Sequence, residues 1–337
     1  MPPMESLSLV VPKKKAEPVR KRLMEKGILR KDLQIRSDAK NVYLPVNQRV
    51  DLGFPIETMD FKEVDREVSD YRLLVDIPEE LRAMLPSSYD TIGSIAVVKI
   101  APEVAAYSNQ IGDAIIATQK SIKTVCSDSG VVDRYRTRDI QIVAGEKTTE
   151  TLHREYGLTL EIDVSKVFFS PRLATERDIV AREVSAGEVV IDMFAGVGPF
   201  SIMIAKMRSP KTVYAIDLNP EAIELLKRNI TLNKVSNVVP ILGDARAEVG
   251  RLEKADRIIM NLPHDASSYI QEAIRALKPG GVVHYYEITG EEDLAKRLEE
   301  IADLARKEGR VMREVARRRV KSYSPTLNFY ALEIQFL

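Results

Sequence analysis

The second half of the chain alternates short apolar runs with helical stretches, and this alternation constrains the fold more than any other feature. The apolar runs are EVVIDMF, TVYAID, NVVPILGD, RIIMNLP and GVVHYYEIT, and the helical stretches between them include 220–233 and 266–277. Alternating strands and helices build a parallel sheet with helices on both faces. We therefore predict an α/β domain in residues 164–337 with a doubly wound, mostly parallel sheet, ended by an antiparallel pair of strands around Ser324 and Pro325.

Two smaller α+β domains are predicted ahead of this sheet, because strands and helices mix there without strict alternation. Residues 1–62 form the first, with strands at LSLVVP and NVYLPV and a helix from Pro18 to Lys26. Residues 63–163 form the second, with strands at SIAVVKIAP and SIKTVCSD, a helix around 105–118 and a strand from Val131. An excess of basic residues in the first domain indicates either a solvated face or a surface that contacts RNA.

Composition excludes several classes of protein. With 337 residues, 45% of them hydrophobic and 30% charged, the chain can build packed cores and is not disordered. Fifty Lys+Arg balance fifty Asp+Glu, so the net charge by itself does not indicate a nucleic-acid binder. The single cysteine, Cys126, excludes a disulfide framework and fits a reducing cytoplasm, and the three dispersed histidines predict no metal site.

No signal peptide or membrane span is predicted. The N-terminus lacks a charged segment before an apolar core. The most apolar long stretch, 187–205, carries two acids, glycines and a proline, which favour a strand, a turn and a helix over a membrane span. We therefore expect a cytoplasmic protein without membrane contact, and separately we expect it to be a monomer.

Polar side chains end four successive predicted strands. They are Asp192, Asp217, Asp244 and Asn261. Each alone is explained as a helix N-cap, since Asp and Asn are favoured there. The carboxyl ends of parallel strands meet at the crevice where such sheets bind ligands. Four polar residues in series therefore indicate a binding site.

A glycine turn follows the first of these strands, in the segment DMFAGVGPF. Gly196 and Gly198 let the backbone come close to a ligand. There is no third glycine at the dinucleotide-binding spacing, and Asp192 stands four residues before Gly196. A carboxylate is a poor neighbour for a pyrophosphate and a good one for an ammonium group. By itself the turn is also explained by packing.

Three arginines alternate in VVDRYRTRDI, at positions 134, 136 and 138. On a strand, this period of two places all three on one face. Such a row suits phosphates or the carbonyl of a base, because a guanidinium presents a rigid fork of donors. An exposed edge strand whose arginines pair with Asp133 and Asp139 is the alternative.

At this point the sequence resembles a family. DMFAGVGPF, YAIDLNPEAIELLKRNITLN, GDAR and NLP together resemble class I S-adenosylmethionine-dependent methyltransferases. With VFFSPRLATER upstream and GGVVHYY downstream, the chain resembles the Trm5 family of tRNA (guanine-N1) methyltransferases, which modify position 37. The resemblance covers nearly the whole chain. It implies a Rossmann-like methyltransferase domain, S-adenosylmethionine as cofactor and tRNA as partner, bound at the anticodon stem-loop with G37 and at the outer corner through the N-terminal domain.

The resemblance also implies a set of cofactor-binding residues. Asp192 and the turn from Phe194 to Gly198 would surround the methionine end, Asp217 and Leu218 would hold the ribose and flank the adenine, and Asp244 and Ala245 would contact the adenine edge. The whole set is Arg177, Asp192, Phe194, Ala195, Gly196, Gly198, Asp217, Leu218, Asp244, Ala245, Asn261 and Pro263. Asn261 would lie where cofactor and substrate meet, and no metal is implied.

For the target base, the resemblance assigns Arg136 to the guanine oxygen, although RTRDI matches the family's R-x-R-E-L pattern only in part. Methylation of guanine N1 requires removal of its proton while charge develops at O6. A buried carboxylate can take the proton and an arginine can stabilise the oxygen. The complete S-P-R-L-x-x-E-R match implies Glu176 as the base, with Arg172 and Asn261 also catalytic. Proline and glutamate at a helix start are equally explained by capping.

Other functions remain as alternatives. A wybutosine-pathway enzyme would transfer the aminocarboxypropyl arm of the same cofactor to the modified base at position 37, but its relatives generally lack N-L-P and a full N-terminal domain. An adenine-N6 or glutamine methyltransferase needs a second proline and an aromatic residue, where this chain has Leu262 and His264. His264 replaces a lysine common in the family and is given no catalytic role. The third alternative is an RNA-binding protein on an inactive fold, and the intact strand-end residues argue against it.

The segment Arg306–Lys321 is strongly basic, with eight basic residues against two acids. A solvated surface that leads from a helix into a strand explains it most simply. A track for the phosphates of the anticodon stem is the second interpretation.

Overall fold

A computed structural model describes residues 3–63 and 70–337. The chain divides into two compact units, Met1–Asp70 and Tyr71–Leu337. The expected boundary at residues 62 and 63 lies a few residues before this division. The middle and catalytic segments, expected to meet at residues 163 and 164, share the second unit.

The first unit is a four-stranded antiparallel sheet with one helix. Its strands lie in the order β2-β3-β1-β4. The elements are β1 (Met4–Pro12), α1 (Lys13–Glu25), β2 (Arg36–Ser37), β3 (Asn41–Val46) and β4 (Ile56–Phe61). Both expected strands are confirmed. The helix begins at Lys13 rather than Pro18, which lies inside it, because a proline marks a helix start only as a statistical preference.

The second unit opens with a small mixed sheet and a hairpin. The sheet has the order β5-β6-β7-β8, in which only β6 and β7 are parallel. Its elements are β5 (Asp90–Ile92), β6 (Ile95–Val98), α2 (Ser108–Thr118), β7 (Thr124–Val131) and β8 (Arg138–Gly145), and the hairpin pairs β9 (Glu150–Glu155) with β10 (Leu158–Asp163). Short 3₁₀ helices lie at Tyr71–Leu73, Glu79–Met84 and Pro102–Tyr107. The expected strand from Val131 is wrong, because Val131 ends β7 and a turn follows.

A seven-stranded sheet forms the rest of the second unit. Its strands are β11 (Val189–Asp192), β12 (Thr212–Asp217), β13 (Val238–Leu242), β14 (Ala255–Met260), β15 (Leu277–Thr289), β16 (Met312–Ser322) and β17 (Asn328–Phe336). Its helices are α3 (Ala174–Glu183), α4 (Pro199–Met207), α5 (Pro220–Asn233), α6 (Ala245–Glu248), α7 (Ile270–Ala276) and α8 (Glu291–Lys307), with short 3₁₀ helices at Pro171–Leu173, Val249–Arg251 and Ala266–Tyr269. The helix expected over 266–277 is thus a 3₁₀ turn followed by α7.

The order β13-β12-β11-β14-β15-β17-β16 confirms the doubly wound sheet. The first five strands are parallel, and β17 and β16 form the expected antiparallel edge. The chain reverses its direction of travel across the sheet at β11, which lies between β12 and β14. Doubly wound folds bind ligands at such a switch point, outside the carboxyl ends of the strands. Among residues 3–63 and 70–337, no helix is long and apolar enough to cross a membrane.

Buried asparagines of α5 connect the hairpin to this sheet. Asn229 is fully buried, and its amide group donates to the carbonyls of Glu161 and Val197. Its oxygen accepts from the Glu161 N–H at 2.7 Å. One side chain therefore joins β10, the glycine turn and α5.

We predict that Asn229→Ala lowers the free energy of unfolding by roughly 2–4 kcal/mol, because it removes three buried hydrogen bonds and leaves backbone groups without partners. Urea denaturation measures the change. Asn237→Ala, which removes one bond to the Pro210 carbonyl at a partly exposed site, is the matched control. Equal effects of the two substitutions would contradict the assignment of Asn229 as a connecting residue.

Candidate active site

A cavity of about 800 Å³ opens at the carboxyl ends of β11, β12 and β14. Its wall combines the glycine turn and strand ends of the large sheet with residues from β5, the β7–β8 segment and the S-P-R-L segment. The volume is in the range of pockets that hold a nucleoside-sized ligand. Two parts of the second unit that are far apart in sequence therefore build one site.

Most of the residues expected to bind a cofactor line this cavity. They are Arg177, Phe194, Ala195, Gly196, Asp217, Leu218, Asp244, Ala245, Asn261 and Pro263. Of the expected catalytic residues, Arg136, Arg172 and Asn261 line it as well. Asp192, Gly198 and Glu176 are not among the lining residues.

The glycine turn requires glycine at both positions. Gly196 and Gly198 have φ of 54° and 86°, in the left-handed region that favours glycine. A Cβ on Gly198 would collide with the side chain of Leu226. Gly198 therefore acts through close packing at the start of α4, whereas Gly196 faces the cavity.

Asp217 accepts a hydrogen bond from the backbone of the glycine turn and also lines the cavity. Its Oδ2 accepts from the Gly196 N–H at 2.6 Å, and its Oδ1 accepts from the Asn219 N–H at 2.9 Å. Burial raises the pKa of Asp217 above its ordinary value. Each oxygen keeps a lone pair, so the carboxylate can also accept hydrogen bonds from the two hydroxyls of a ribose.

Asp192 lies beneath the turn rather than on the cavity wall. Its Oδ2 accepts from the Ser201 hydroxyl at 2.8 Å, and its buried Oδ1 has no hydrogen-bond partner in the described part of the chain. Burial raises its pKa to about 7. Asp192 thus bonds a residue of α4, and its predicted contact with the methionine end stays a prediction.

The two remaining strand-end residues differ from each other. Asp244 is an N-cap of α6, because its Oδ1 accepts from the Arg246 N–H at 2.9 Å, so the capping alternative holds although Asp244 also lines the cavity. The Oδ1 atom of Asn261 is buried and has no partner among residues 3–63 and 70–337. Asn261 also lines the cavity, so its side chain is a candidate for contact with a ligand there.

Aromatic rings complete the side of the cavity near Asp244. Tyr269 lines it, packs edge-on against Phe194 at 4.9 Å between ring centroids, and carries the Arg246 guanidinium 4.0 Å above its ring. Sequence reasoning missed Tyr269, because nothing in the segment DASSY distinguishes a lining ring from a core ring. With Leu218 and Ala245, these rings form an apolar slot that suits a purine.

The arginine row expected on a strand is instead a turn. Asp133 closes it: its Oδ1 accepts from the N–H groups of Tyr135 and Thr137, and its Oδ2 accepts from the Thr137 hydroxyl at 2.6 Å. Arg136 has φ of 61° in this turn, and only Arg138 lies on β8. Hydrogen bonds that the Asp133 side chain accepts from nearby residues favour a turn here, although the alternating arginines had predicted a strand.

The turn gives the three arginines different surroundings. The Arg134 guanidinium bonds the Tyr135 hydroxyl, and Arg138 pairs with Asp128 at 3.2 Å. The half-buried Arg136 guanidinium has neither a hydrogen bond nor an ion pair with any described residue, and burial lowers its pKa. Arg136 is therefore the one of the three whose guanidinium has no hydrogen bond or ion pair with a described residue.

Arg172 belongs to a charged group on the cavity wall. Its Nε donates to Asp90 Oδ1 at 2.6 Å, and Arg138 approaches the other oxygen of Asp90 at 3.7 Å. Lys321 completes the group, and burial together with Arg172 lowers its pKa. Sequence reasoning missed Asp90 and Lys321, because only the fold brings β5 and β16 to this wall.

Arg177 lines the cavity but its guanidinium is already bound. Nε and Nη2 donate to the two oxygens of Glu155, both at 2.6 Å, and Nη1 donates to the Ser170 carbonyl at 3.2 Å. Both side chains are almost fully buried. The predicted cofactor contact of Arg177 stays a prediction, and the structure adds this internal ion pair to it.

Glu176 is buried next to the cavity without lining it. Its Oε2 accepts from Arg318 Nη2 at 3.1 Å, whereas its Oε1 has no hydrogen-bond partner among the described residues. His264, on the cavity rim, packs edge-on against Tyr323, and burial and Arg136 lower its pKa. No group of three or more metal-ligating side chains occurs in the described ranges.

The doubly wound sheet, with a glycine turn after β11 and an acid at the end of β12, defines a Rossmann-like fold with a nucleotide-type site. The comparisons with known proteins narrow this class. Family models match as "TRM5/TYW2 methyltransferase domain" over residues 151–312, "TYW2 N-terminal domain" over 71–148 and "tRNA methyltransferase 5 N-terminal domain" over 9–52.

The chain belongs to the Trm5 family. It is 46% identical to tRNA (guanine(37)-N(1))-methyltransferase Trm5b of Pyrococcus abyssi over 323 residues, covering 95% of this chain and 96% of that protein. The crystal structure of wild-type P. abyssi Trm5b superposes with a TM-score of 0.83 and covers 98% of this chain and 99% of that chain.

Two further structures are similar. The complex of aTrm5 and tRNALeu has a TM-score of 0.75 at 36% identity, covering 98% of this chain and 99% of that chain. Methanocaldococcus jannaschii TYW2 in complex with AdoMet has a TM-score of 0.58 at 31% identity, covering 74% of this chain and 99% of that chain.

We predict that Asp217→Ala weakens binding of S-adenosylmethionine by roughly 1–3 kcal/mol, because charge-assisted hydrogen bonds to ribose are lost together with support of the Gly196 N–H. Calorimetry measures the affinity. Glu221→Ala is the control, since Glu221 is exposed and pairs with Lys166 at the start of α5. Unchanged affinity in Asp217→Ala would remove Asp217 from the site.

The raised pKa of Asp192 leads to a second prediction, about how the free energy of unfolding depends on pH. Its folded pKa of about 7 lies above the unfolded value of about 3.9. Between these values the folded protein keeps a proton that the unfolded chain has lost, so the free energy of unfolding falls as pH rises through this window. Asp192→Asn removes this dependence, so the variant should gain stability relative to the native protein as pH rises from about 4 to about 7.

Urea denaturation of the cofactor-free protein across this window measures the effect. Glu253→Gln is the control, because the hydrogen bond from Lys211 lowers the pKa of Glu253 and gives the opposite sign. A stability difference between Asp192→Asn and the native protein that does not change with pH would show that Asp192 is ionised throughout.

Proposed function

We propose that this protein transfers the methyl group of S-adenosylmethionine to N1 of guanosine 37 in tRNA. The main observation behind this proposal is which residues line the cavity together. The glycine turn, Asp217 and the aromatic slot form one end, and the unpartnered guanidinium of Arg136 belongs to the same cavity. The 46% identity to P. abyssi Trm5b, over almost the whole of both chains, supports this reaction and this substrate.

The residues present fit S-adenosylmethionine. Asp217 would offer acceptors to the ribose hydroxyls, and Leu218, Ala245 and Tyr269, which line the cavity, would hold the adenine. Gly196 allows the methionine portion to approach the backbone. When bound, the cofactor supplies an electrophilic methyl group on a sulfonium sulfur.

The protein's part in the chemistry is to hold the target base and remove its proton. Arg136 donates to guanine O6 and stabilises the negative charge that develops there. Asn261 uses its free Oδ1 to orient the base, and Arg172 lends positive charge to the cavity wall. Glu176 is the proposed base, with Oε1 as the accepting oxygen.

The reaction balances without a further reactant. The N1–H bond breaks and its proton passes to Glu176, while the N1 electron pair forms the bond to the methyl carbon. The carbon–sulfur bond breaks, and its electrons neutralise the sulfonium. Alignment of N1, carbon and sulfur and removal of the proton are therefore the two tasks of the site.

Transfer of the aminocarboxypropyl arm is the second candidate. The "TYW2 N-terminal domain" match over residues 71–148 favours it. The match of residues 9–52 to the Trm5 N-terminal domain, the lower identity to TYW2 and the N-L-P segment at Asn261–Pro263 favour methylation.

Two surfaces are proposed to contact the tRNA. The outer strand β16 exposes Arg313, Arg317 and Arg319 at the edge of the large sheet, where they suit the phosphates of the anticodon stem. The first unit, rich in basic residues, is proposed to bind the outer corner. We propose that the enzyme acts as a monomer in the cytoplasm, where the buried Cys126 stays reduced.

The function is tested by incubating the enzyme with G37 tRNA transcripts and cofactor labelled separately in the methyl and the aminobutyrate carbons. We expect the methyl label alone to enter the tRNA as 1-methylguanosine. A transcript with A37 should accept no label, and inosine at position 37 tests the role of the exocyclic amine. Incorporation of the aminobutyrate label would establish the second candidate instead.

The proposed base gives a kinetic prediction. Glu176→Gln should lower the single-turnover rate of methyl transfer by about 10²–10⁴-fold, because glutamine cannot accept the N1 proton. Affinities for cofactor and tRNA should change little. Asp178→Asn, on the same helix and paired with Arg182, is the control for helix stability. A near-native rate in Glu176→Gln would leave Glu176 as a helix-start residue.

A further inference from the structure

Arg318 is a basic residue of β16 whose surroundings differ from those of its neighbours. Arg317 beside it is more exposed and pairs with Glu314 on the same strand. Arg318 instead reaches α3, and its side chain is about a quarter exposed, at 27%. Its Nε atom is buried and has no hydrogen-bond partner in the described part of the chain. Because burial removes hydrogen bonds between this guanidinium and water, its other contacts must compensate for that loss.

Those contacts are two carboxylates of α3. Nη2 of Arg318 lies 3.1 Å from Glu176 Oε2, and Nη1 lies 4.0 Å from Glu183 Oε1. The two glutamates are two helical turns apart and therefore lie on the same face of α3. Glu183 also lies within 4.0 Å of Arg257 and His284. Among the described residues, Arg318 is the one cation within ion-pair distance of Glu176.

The remaining neighbour of Glu176 offers no compensating charge. Tyr286 of β15 is buried, and its hydroxyl has no hydrogen-bond partner among residues 3–63 and 70–337. Burial and then Glu176 raise the pKa of Tyr286 well above its ordinary value, so it stays neutral. The groups that face Glu176 are thus Arg318 from β16, Tyr286 from β15 and Glu183 from its own helix.

We infer that Arg318 is a positioning residue for Glu176. It holds Oε2 and the negative charge of the carboxylate, and it leaves Oε1 as the oxygen that accepts the proton of guanine N1. The inference rests on the proposed role of Glu176 as the base. Glu176 is 6% exposed, and a carboxylate buried to this extent needs a cation beside it to offset the loss of contact with water.

Arg318→Gln and Arg318→Lys test the inference in the full-length protein with a G37 transcript. Arg318→Gln should slow single turnover at saturating tRNA by about 10–10²-fold, with cofactor affinity and the KM for tRNA unchanged. Arg318→Lys, which keeps the charge, should recover most of the rate. Arg182→Gln is the matched control, because it removes an equal charge from an exposed ion pair with Asp178 on α3 and does not contact Glu176.

The pH dependence separates positioning from support of the fold. Guanine N1 loses its own proton at alkaline pH and then needs no base, so the defect of Arg318→Gln should shrink as pH rises. If Arg318→Gln does not fold, the same shrinkage is expected of the smaller defect of Arg318→Lys. A native rate in the folded variants, or a defect that is equal at every pH, would overturn the inference.

Glu176→Gln distinguishes this inference from the proposed base. In that background, removal of Arg318 should cost no further rate, since no carboxylate remains to be positioned. An undiminished Arg318→Gln defect in the Glu176→Gln background would overturn the positioning role alone. A near-native rate in Glu176→Gln itself would overturn the base and with it the inference.

Discussion

The buried ion pair between Arg177 and Glu155 is the interaction on which the composite site depends. Glu155 lies on β9 and Arg177 on α3, and both bonds of the fork are 2.6 Å long. The Arg177 guanidinium also donates to the Ser170 carbonyl, and this bond fixes the start of the segment that carries Arg172 and Glu176. Removing Glu155 would leave a buried guanidinium without its carboxylate, and removing Arg177 would leave Glu155 beside His153, 3.4 Å away. Breaking a buried pair in this way is far more costly than losing an exposed one.

Around this connection, single side chains serve both the fold and the site. Asp217 holds the Gly196 N–H and also lines the cavity, and Asp244 caps α6 from the cavity wall. Capping and ligand binding are therefore not exclusive explanations of a strand-end acid. The carboxyl end of a parallel strand and the N-terminus of the following helix occupy the same place, so one aspartate can meet both demands.

Much of the fold and part of the site could be predicted from sequence. Strands β3 and β12 and helix α5 lie where the apolar runs and caps indicate, because their periodicity is local information. Arg136 was expected in the site, but on a strand. The Asp133 side chain closes a turn there, and a short alternating run cannot reveal such a hydrogen bond. The hydrogen bonds of Asp192 to Ser201 and of Arg177 to Glu155 could not be predicted either, because the partners meet only in the folded chain.

By itself the sequence determined the doubly wound sheet, the glycine turn and the family, since these depend on the order and spacing of residue types along the chain. Only the tertiary structure decided which charges meet. Arg318 with Glu176, Asp90 with Arg172 and Glu155 with Arg177 are separated by 142, 82 and 22 residues. The physical reason is that ion pairing acts over a few ångströms in space, and the packing of β5, β9 and β16 against α3 and the segment before it sets those distances.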